Sequence, residues 1–350
     1  MRYLIKEAIS EHSLQILAID CSFIPKSGKL TYGLDYFFNS SLGRAEKGLE
    51  ISVISVIALE ANLSYTLSVQ QTPPKKLESS DLNVQPQSHF RQENSRFPTT
   101  SLTSTNTAPK ASKAHQSSSK KTDHSIDISS NQRKKITENT ESTRIDVYLA
   151  HLKKTKPYVP ATIKYLVADG YYSKEKFVKG VLELNFSLIG KLRKDANLRY
   201  LYTGQQKQRG ARRKYDGKVD FMNLERLTFV KEINSNIFLY TAIVNHVTLN
   251  RTLRIVYILD RSHPTKTREA ILFSTDTELE AYQIYCYYKA RFQIEFIFRD
   301  AKQFTGLCDC QARAQEKLDF HFNASLTALN PIPVNEIFKL HQVLEFVNLF

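Results

Sequence analysis

The chain has 350 residues, of which 41% are hydrophobic, so it can bury a sizeable core in one large domain or two smaller ones. Lys and Arg outnumber Asp and Glu by 49 to 35, and the formal net charge of +14 favours a polyanionic partner. The apolar stretch around residues 51–61 is too short and too interrupted to span a bilayer, and residues 1–4 lack the apolar run of a signal peptide. These patterns argue against a membrane and predict DNA or RNA as the partner.

Three β-prone runs lie in the first part of the chain. The run at residues 14–19 is short and apolar and leads to Asp20, and further runs cover residues 31–38 and 49–59. Glycines separate the three runs, so an antiparallel meander is predicted. The cysteines, Cys21, Cys286, Cys308 and Cys310, indicate reduced thiols rather than a disulfide scaffold, and they do not supply the four matched ligands of a structural zinc site.

The composition changes between residues 71 and 142, which are rich in Ser, Thr, Gln, Asn, Lys and Pro. No Val, Leu, Ile, Phe or Tyr occurs between Thr103 and Ser125. Such a stretch cannot bury enough apolar area to offset the entropy lost on ordering. It predicts a disordered insert that interrupts one domain and acts as a tether.

A strand-helix-strand pattern follows the insert. Apolar residues at helical spacing predict a helix over about 145–152 that Pro157 and Pro160 end. A short apolar strand over residues 164–168 leads to Asp169, a helix capped by Ser173 runs to about residue 184, and a strand covers residues 186–192. This order predicts a parallel βαβ unit.

The remaining segment is first β-rich and then helical. Strands are predicted over residues 219–230, 237–247 and 253–259. Because no Pro or Gly occurs between Pro264 and Gly306, one long helix is predicted from a capping box at residues 275–278 to Gln303, roughly 40 Å in length.

Two predicted strands lead to an aspartate, Asp20 and Asp169. If the strands are neighbours, their carboxylates lie side by side and require a cation, and hard oxygen ligands suit Mg²⁺ or Mn²⁺. An aspartate at a strand end more often caps a turn, so these two residues by themselves favour that role and leave the metal site as the alternative.

The predicted long helix carries a third carboxylate on a charged face. Tyr288, Arg291, Glu295 and Lys302 fall within roughly a 60° sector of the helix, whereas Asp300 points to another side. Arg and Lys can hold phosphate oxygens beside a metal-binding carboxylate. The same face also fits a solvated stripe with an ordinary ion pair between Arg291 and Glu295.

Other basic residues suit contacts with a DNA backbone. Residues 205–218 contain six cations against one acid, and Arg212 and Arg213 lie at the centre of this segment, which is either a DNA contact or a solvated loop. Lys26 and Lys29 follow Asp20 closely and are further candidates for binding phosphate.

The four helix residues match the pattern Y-x₂-R-x₃-E-x₆-K without a gap. Together with the segments at 18–29, 167–172 and 292–302, they make the chain resemble bacterial insertion-sequence DDE transposases with the Tyr-Arg-Glu-Lys (YREK) signature, in the RNase H-like/retroviral-integrase superfamily. The likeness covers most of the chain outside the insert.

This resemblance implies an α/β fold, with an RNase H-like mixed sheet flanked by helices. The implied division of the chain is a catalytic core in two halves (1–70 and 143–194), a disordered Ser/Thr/Lys-rich insert (71–142), a β-rich insertion subdomain (195–274), the catalytic glutamate helix with a following helix (275–330) and a divergent tail (331–350).

The resemblance also implies an activity. Asp20, Asp169 and Glu295 would bind two Mg²⁺ ions, which Mn²⁺ can replace, for phosphodiester hydrolysis and strand transfer at the ends of an insertion sequence. Tyr288 and Lys302, with Arg291, would contact DNA phosphates near the cut. The protein is expected to act as a homodimer on DNA and not at a membrane. It is expected in the bacterial cytoplasm, associated with the nucleoid.

Three features depart from this family pattern. Residues 1–19 have room for only a remnant of the DNA-binding region that usually precedes the first aspartate, the insert is long, and the likeness fades after about Asn330. They motivate two alternatives: a truncated, inactive relic that binds DNA or dimerises as an inhibitor, and an RNase H-like nuclease without strand transfer.

Overall fold

The structure, a computed structural model, describes residues 13–73 and 143–330. The predicted disordered insert at 71–142 lies outside the described residues except for its first three positions, and the predicted tail at 331–350 lies wholly outside them. The fold is therefore defined over these two ranges.

The strands of the first range are antiparallel, but the predicted meander is wrong, because the first strand pairs with the third rather than with the second. Its strands are β1 (Gln15–Pro25), β2 (Asp35–Asn39), β3 (Arg44–Ala58) and β4 (Leu63–Gln71). Strand β3 is the long central member, and β1, β2 and β4 all pair with it in antiparallel fashion. The predicted second strand starts too early, because residues 31–34 lie in turns before β2 begins.

The prediction that β1 ends at Asp20 is wrong, because the strand continues to Pro25. Its pairing with β3 runs without interruption from Gln15 opposite Ala58 to Pro25 opposite Gly48. The residues after Ile19 are mostly half-buried, so the apolar run stops although the hydrogen-bonded ladder does not. Asp20 is therefore held in the interior of a strand.

The second range begins with the predicted parallel unit. Its elements are α1 (Arg144–Thr155), β5 (Tyr165–Ala168), α2 (Glu175–Glu183) and β6 (Ser187–Leu192), with β5 parallel to both β1 and β6. Ser173 does not cap α2, because its hydroxyl donates to the carbonyl of Lys191 and Lys174 occupies the N-cap position.

The β-rich segment continues the same sheet. Its strands are β7 (Leu198–Leu201), β8 (Tyr215–Lys218), β9 (Thr228–Ile233), β10 (Ile237–His246), β11 (Arg251–Asp260) and β12 (Arg268–Ser274). The sheet order is β2-β3-β1-β5-β6-β12-β11-β10-β7-β8, with β4 on β3 and β9 on β10. The described residues thus form one mixed sheet of 12 strands.

The predicted strand over residues 219–230 is wrong. A short 3₁₀ helix, Leu224–Arg226, interrupts it, and only its last residues belong to β9. The side chains of Asp220 and Asn223 accept hydrogen bonds from the backbone N–H groups of Met222 and Glu225. These local turns compete with a strand ladder, and an apolar count does not reveal them.

Three helices follow the sheet: α3 (Ala281–Ala290), α4 (Phe292–Phe304) and α5 (Gln315–Thr327). The prediction of one helix from residue 275 to 303 is wrong at its start and at its middle. Residues 275–278 are not a capping box: Thr275 accepts from the N–H of Leu188, and Asp276 accepts from the hydroxyl of Tyr165. At Arg291, i→i+3 hydrogen bonds separate α3 from α4 while the backbone stays right-handed helical.

Helices cover the sheet on both faces, and alternate strand residues point to different cores. Leu17 and Ile19 of β1 belong to the core with α1 and α2, whereas Ile16 and Ala18 belong to the core with α3, α4 and α5. By the same alternation, Asp20 faces the side of α4. None of the described helices combines the length and hydrophobicity needed to cross a membrane.

A buried histidine connects α1 to β3 and β4. His151 is fully buried, and its ring nitrogens lie 3.0 Å from the hydroxyl of Ser52 and 2.9 Å from that of Ser68. Burial lowers the pKa of His151 to about 3. In the unfolded chain the ring protonates near pH 6.5, so the neutral ring stabilises the fold fully above that pH and progressively less as the pH falls towards 3.

We expect the free energy of unfolding to fall by about 2 kcal/mol between pH 7.5 and pH 5 on account of His151 alone. Urea denaturation across this range measures the effect, with His151→Gln as the comparison because glutamine has no titrating ring. The wild type should lose more stability than the variant as the pH falls. Parallel pH profiles for the two proteins would contradict the assignment.

Candidate active site

Two of the predicted carboxylates meet on adjacent parallel strands. Ile19 of β1 is in register with Ala168 of β5, so the next residues, Asp20 and Asp169, are neighbours across the pair. Adjacent strands are roughly 4.8 Å apart. Val167 of β5 belongs to the core beneath α4, so Asp169, two residues later, points to that same side. Both aspartates thus face α4.

The third carboxylate comes from α4. Ile294 and Ala301 are fully buried and, with Ile297 and Phe298, anchor one side of this helix in the core. Glu295 projects beside that anchored face, with 43% of its side chain exposed. The helix therefore holds a partly solvated carboxylate over the strands that carry the two aspartates.

Arg291 joins two of these carboxylates. Its Nη1 lies 3.2 Å from Oδ2 of Asp20, and its Nη2 lies 2.7 Å from Oε1 of Glu295. The guanidinium carbon is 5.5 Å from the ring centre of Tyr288 and 5.0 Å from that of Phe292. The Arg291 side chain is only 7% exposed, and its Nε has no hydrogen-bond partner among the described residues. Arg291 is thus the counter-ion of the site.

The protonation of Asp20 reflects this setting. Burial raises the pKa of Asp20 to about 7, while the charge of Arg291 and a 2.8 Å hydrogen bond from the N–H of Cys21 lower it. The negative charges of Asp169 and Glu295 raise the Asp20 pKa further. The three carboxylates are therefore electrostatically coupled, and an additional positive charge among them would favour the ionised form of Asp20.

The donor set suits a hard divalent cation, since it offers three carboxylates that include a largely enclosed, coupled aspartate. Oδ2 of Asp169 and Oε2 of Glu295 accept no hydrogen bond from any described residue, so these atoms are available as ligands. The side-chain positions are nevertheless those of a site neutralised by Arg291. Among residues 13–73 and 143–330, no group of three or more His, Cys, Asp or Glu side chains is arranged to hold a metal ion.

The residues in the α3–α4 region and in the loop after β1 that were predicted to bind phosphate have different surroundings. Lys302 is exposed at the end of α4 and donates to the carbonyl of Phe23 at 3.0 Å. Lys26 donates to the carbonyl of Cys310, and Lys29 is exposed. Tyr288 is half-buried beside Arg291. The structure thus places Tyr288 and Arg291 beside the carboxylates and Lys302 against the backbone of Phe23. It engages Arg291 with carboxylates rather than leaving it open to phosphate.

The structure does not bring Arg212 and Arg213 to this site. They lie between β7 and β8, at the opposite end of the sheet, and β8 is six strands beyond β5, or roughly 29 Å at ordinary strand spacing. Arg213 pairs with Asp216 and lies 4.6 Å from the ring centre of Tyr202. Arg212 is exposed.

A groove beside Asp169 was not predicted. It has a volume of about 740 Å³, and its charged lining residues are three cations and three acids. Arg193 pairs with Asp195 and Lys194 with Glu269, which leaves Lys191 next to Asp169. Lys191 makes no ion pair with any described residue. It is close to Gly170, the residue after Asp169, since a Cβ added at Gly170 would lie 3.9 Å from the Cβ of Lys191. The signal was present in the sequence: the strand after Asp169 ends in Lys191-Leu192-Arg193-Lys194, and parallel register brings this end next to the aspartate.

A comparison with protein families matches residues 126–330 to the transposase DDE domain. This match covers more than half of the chain and includes Asp169 and Glu295, whereas Asp20 lies before its start. No curated protein matches the chain. On the strength of the family match, which spans the helix with Glu295 and the strand before Asp169, the chain belongs to the transposase DDE domain family.

Proposed function

We propose that this chain is a metal-dependent DNA transposase that hydrolyses phosphodiester bonds at the ends of an insertion sequence and transfers the freed strand to a target. Its fold is then an RNase H-like core with residues 195–274 as the β-rich insertion. Tyr288, Arg291, Glu295 and Lys302 form the YREK signature. The protein would act as a homodimer on paired DNA ends, at the nucleoid in the bacterial cytoplasm.

One observation carries this proposal. Asp20, Asp169 and Glu295 come from distant parts of the chain and converge on one side of the sheet, where the guanidinium of Arg291 lies among them. Asp20 and Asp169 are neighbours on parallel strands, and Arg291 spans Asp20 and Glu295. A sheet held by hydrogen bonds and a helix anchored in the core give the carboxylates fixed positions. A two-metal phosphoryl-transfer site needs metal-binding side chains that are held rigidly.

Asp20, Asp169 and Glu295 would hold two Mg²⁺ ions, which when bound activate the attacking oxygen and stabilise the leaving 3′-oxygen. The chain's own contribution is to bind and orient. The Asp20 carboxylate is largely enclosed on β1, the Asp169 carboxylate is fixed by the backbone N–H of Tyr171, and Glu295 closes the site from above. Lys191, the cation of the groove beside Asp169 that makes no ion pair with a described residue, would hold a backbone phosphate of the DNA.

A second candidate, the inactive DNA-binding relic, is favoured by one observation. Arg291 already neutralises Asp20 and Glu295, and no metal-binding group of three is arranged among the described residues. If that arrangement persists with DNA bound, the chain would bind DNA without cutting it. An RNase H-like nuclease without strand transfer would cut DNA but leave no joined product.

We expect the purified full chain to nick supercoiled plasmid DNA in the presence of Mg²⁺ or Mn²⁺ and to lose this activity completely when a chelator is added. Gel electrophoresis separates supercoiled from nicked plasmid and gives the rate. A parallel reaction that contains a labelled oligonucleotide with a free 3′-hydroxyl tests for strand transfer, because transfer joins the label to the plasmid.

The three candidate functions give different results in this assay. Nicking with label transfer supports the transposase, and nicking without transfer supports the nuclease. DNA binding without nicking in either metal overturns the proposed activity in favour of the relic. Nicking that persists in excess chelator would contradict the metal-dependent reaction.

A further inference from the structure

The edge of the sheet carries two exposed aromatic rings and a lysine, Tyr36, Phe38 and Lys47, which together are called the aromatic edge. Tyr36 is 63% exposed and Phe38 is 60% exposed, whereas Phe37 between them is 2% exposed. Tyr36 is directly opposite Lys47 on β3, and Phe38 is opposite the small residue Ala45. Cross-strand partners share one face, so the three side chains lie together.

This edge is held rigidly from behind. Arg144 of α1 lies 4.7 Å from the ring centre of Phe37 and donates to the carbonyl of Tyr36 at 2.9 Å. It also lies 3.5 Å from the buried carboxylate of Glu50. Two large aromatic rings are therefore exposed to solvent on a strand whose backbone is anchored. Exposing such rings is unfavourable in free energy unless they bind a partner.

The aromatic edge lies on the same face of the sheet as the candidate active site. Asp20 is opposite Val53 of β3, and Lys47 is six residues before Val53, so the two point to the same side. From Asp20 to Pro25 the distance along β1 is roughly 17 Å. A groove of about 410 Å³, lined by Phe23, Pro25, Tyr36 and Lys47 among others, lies at that end.

The chemistry of the aromatic edge fits unpaired nucleotides. Tyr36 and Phe38 are two residues apart on one strand, which separates their side chains by roughly 6.8 Å, or twice the spacing of about 3.4 Å between stacked bases. One base can therefore insert between the rings. Lys47 makes no ion pair with any described residue and is available to a phosphate. Bases in a duplex already stack on each other, so exposed rings of this kind select single strands.

We propose that the aromatic edge binds unpaired bases of a DNA strand that runs along β1 from the candidate active site. This inference rests on the proposed function, because it takes DNA as the substrate of the carboxylate site. It adds a binding surface for single-stranded DNA outside the carboxylates, the groove beside Asp169 and the helix residues around Glu295.

The test measures DNA binding by fluorescence anisotropy with the full chain in a chelator, so that no cleavage occurs. The probes are oligothymidylate of about 20 nucleotides and a duplex of equal length. The double variant Tyr36→Ala/Phe38→Ala should weaken binding of the single strand at least tenfold and of the duplex less than about twofold, because stacking on each ring is lost. The control Phe320→Ala removes a ring that is 76% exposed on α5 and should change neither.

A second variant separates stacking from charge. Lys47→Gln should reduce the slope of log affinity against log salt by about 0.7 for the single strand, whereas the double aromatic variant should leave that slope unchanged. Thermal melting of each variant checks that the fold is intact. Unchanged single-strand affinity in a folded double variant overturns the proposal, as does an equal loss in Phe320→Ala.

The alternative occupant of an exposed edge strand is a second copy of the chain. If the double variant converts a dimer to a monomer in sedimentation but binds the single strand like the wild type, the edge is a self-interface and the proposal is wrong. Failure of the proposed activity gives a different result. If the wild type never nicks plasmid DNA but the double variant still binds the single strand more weakly than the wild type, the aromatic edge is supported and the catalytic function is not.

Discussion

Glu295→Gln is expected to lower the rate of metal-dependent DNA cleavage by more than about 100-fold, since residues that merely orient metal ligands are already worth about 10–100-fold. Glutamine keeps the size of the side chain but removes the negative charge that a divalent ion requires. Glu295 is 43% exposed on a helix anchored by other residues, so the variant should fold normally. Nicking rates with saturating Mg²⁺ and DNA affinity in chelator measure the two effects separately.

The matched control is Asp300→Asn, five residues later in the same helix. Asp300 points to another side of α4 and pairs with Arg299 at 2.8 Å, where the two side chains are 33% and 62% exposed. We expect its cleavage rate and DNA affinity to stay within about twofold of the wild type. Equal cleavage by Glu295→Gln and wild type, or an equal loss in both variants, would remove Glu295 from the site.

The arrangement of the candidate site was predictable where it depends on local geometry. The i,i+4 spacing of Arg291 and Glu295 predicts their contact, and this contact survives the break between α3 and α4 because the backbone at Arg291 remains helical. The apolar run before Asp169 ends where β5 ends. These signals lie within a few residues of one another, so tertiary packing does not change them.

What could not be predicted depends on pairing between distant segments. The neighbourhood of Asp20 and Asp169 follows from the parallel register of β1 and β5, whose strands are separated by the whole insert. The burial of Arg291 against Asp20 depends on the same register and on how α4 packs over β1. No periodicity within one segment contains that information. For this reason Arg291 was expected to contact phosphate, whereas in the structure it lies between two carboxylates.

The fold shows the same division between local and long-range signals. Strand β4 is absent from the prediction although Leu63, Tyr65, Leu67 and Val69 alternate with polar residues, because the composition changes immediately afterwards. Strand β12 contains only a short apolar run, residues 270–273, and its place in the sheet is defined by its partners, β11 and β6. That pairing joins the β-rich segment to the parallel unit in one sheet.

Arg291→Ala is expected to lower the free energy of unfolding by about 3 kcal/mol in the absence of divalent ions and at a pH well above 7, because it leaves a largely enclosed, ionised carboxylate without its counter-ion. The value is at the lower end for a buried pair, since Glu295 is partly exposed and can be solvated. Urea denaturation in a chelator measures the loss. Arg299→Ala is the matched control, since Arg299 is 62% exposed and its pairing with Asp300 should contribute less than about 1 kcal/mol.

The same variant distinguishes an active site from a permanently neutralised one. If Arg291 stands where a divalent ion would otherwise balance Asp20 and Glu295, then Mn²⁺ should stabilise Arg291→Ala more than it stabilises the wild type, because an ion that binds only the folded state raises its stability more, the tighter it binds. Stabilisation of the two proteins by equal amounts would mean that Arg291 and the ion do not compete. A variant as stable as the wild type in chelator would mean that the ion pairs with Asp20 and Glu295 contribute nothing. Greater stabilisation of the variant would instead identify Arg291 as an internal counter-ion that metal binding displaces, and its guanidinium would then be free to hold a DNA phosphate.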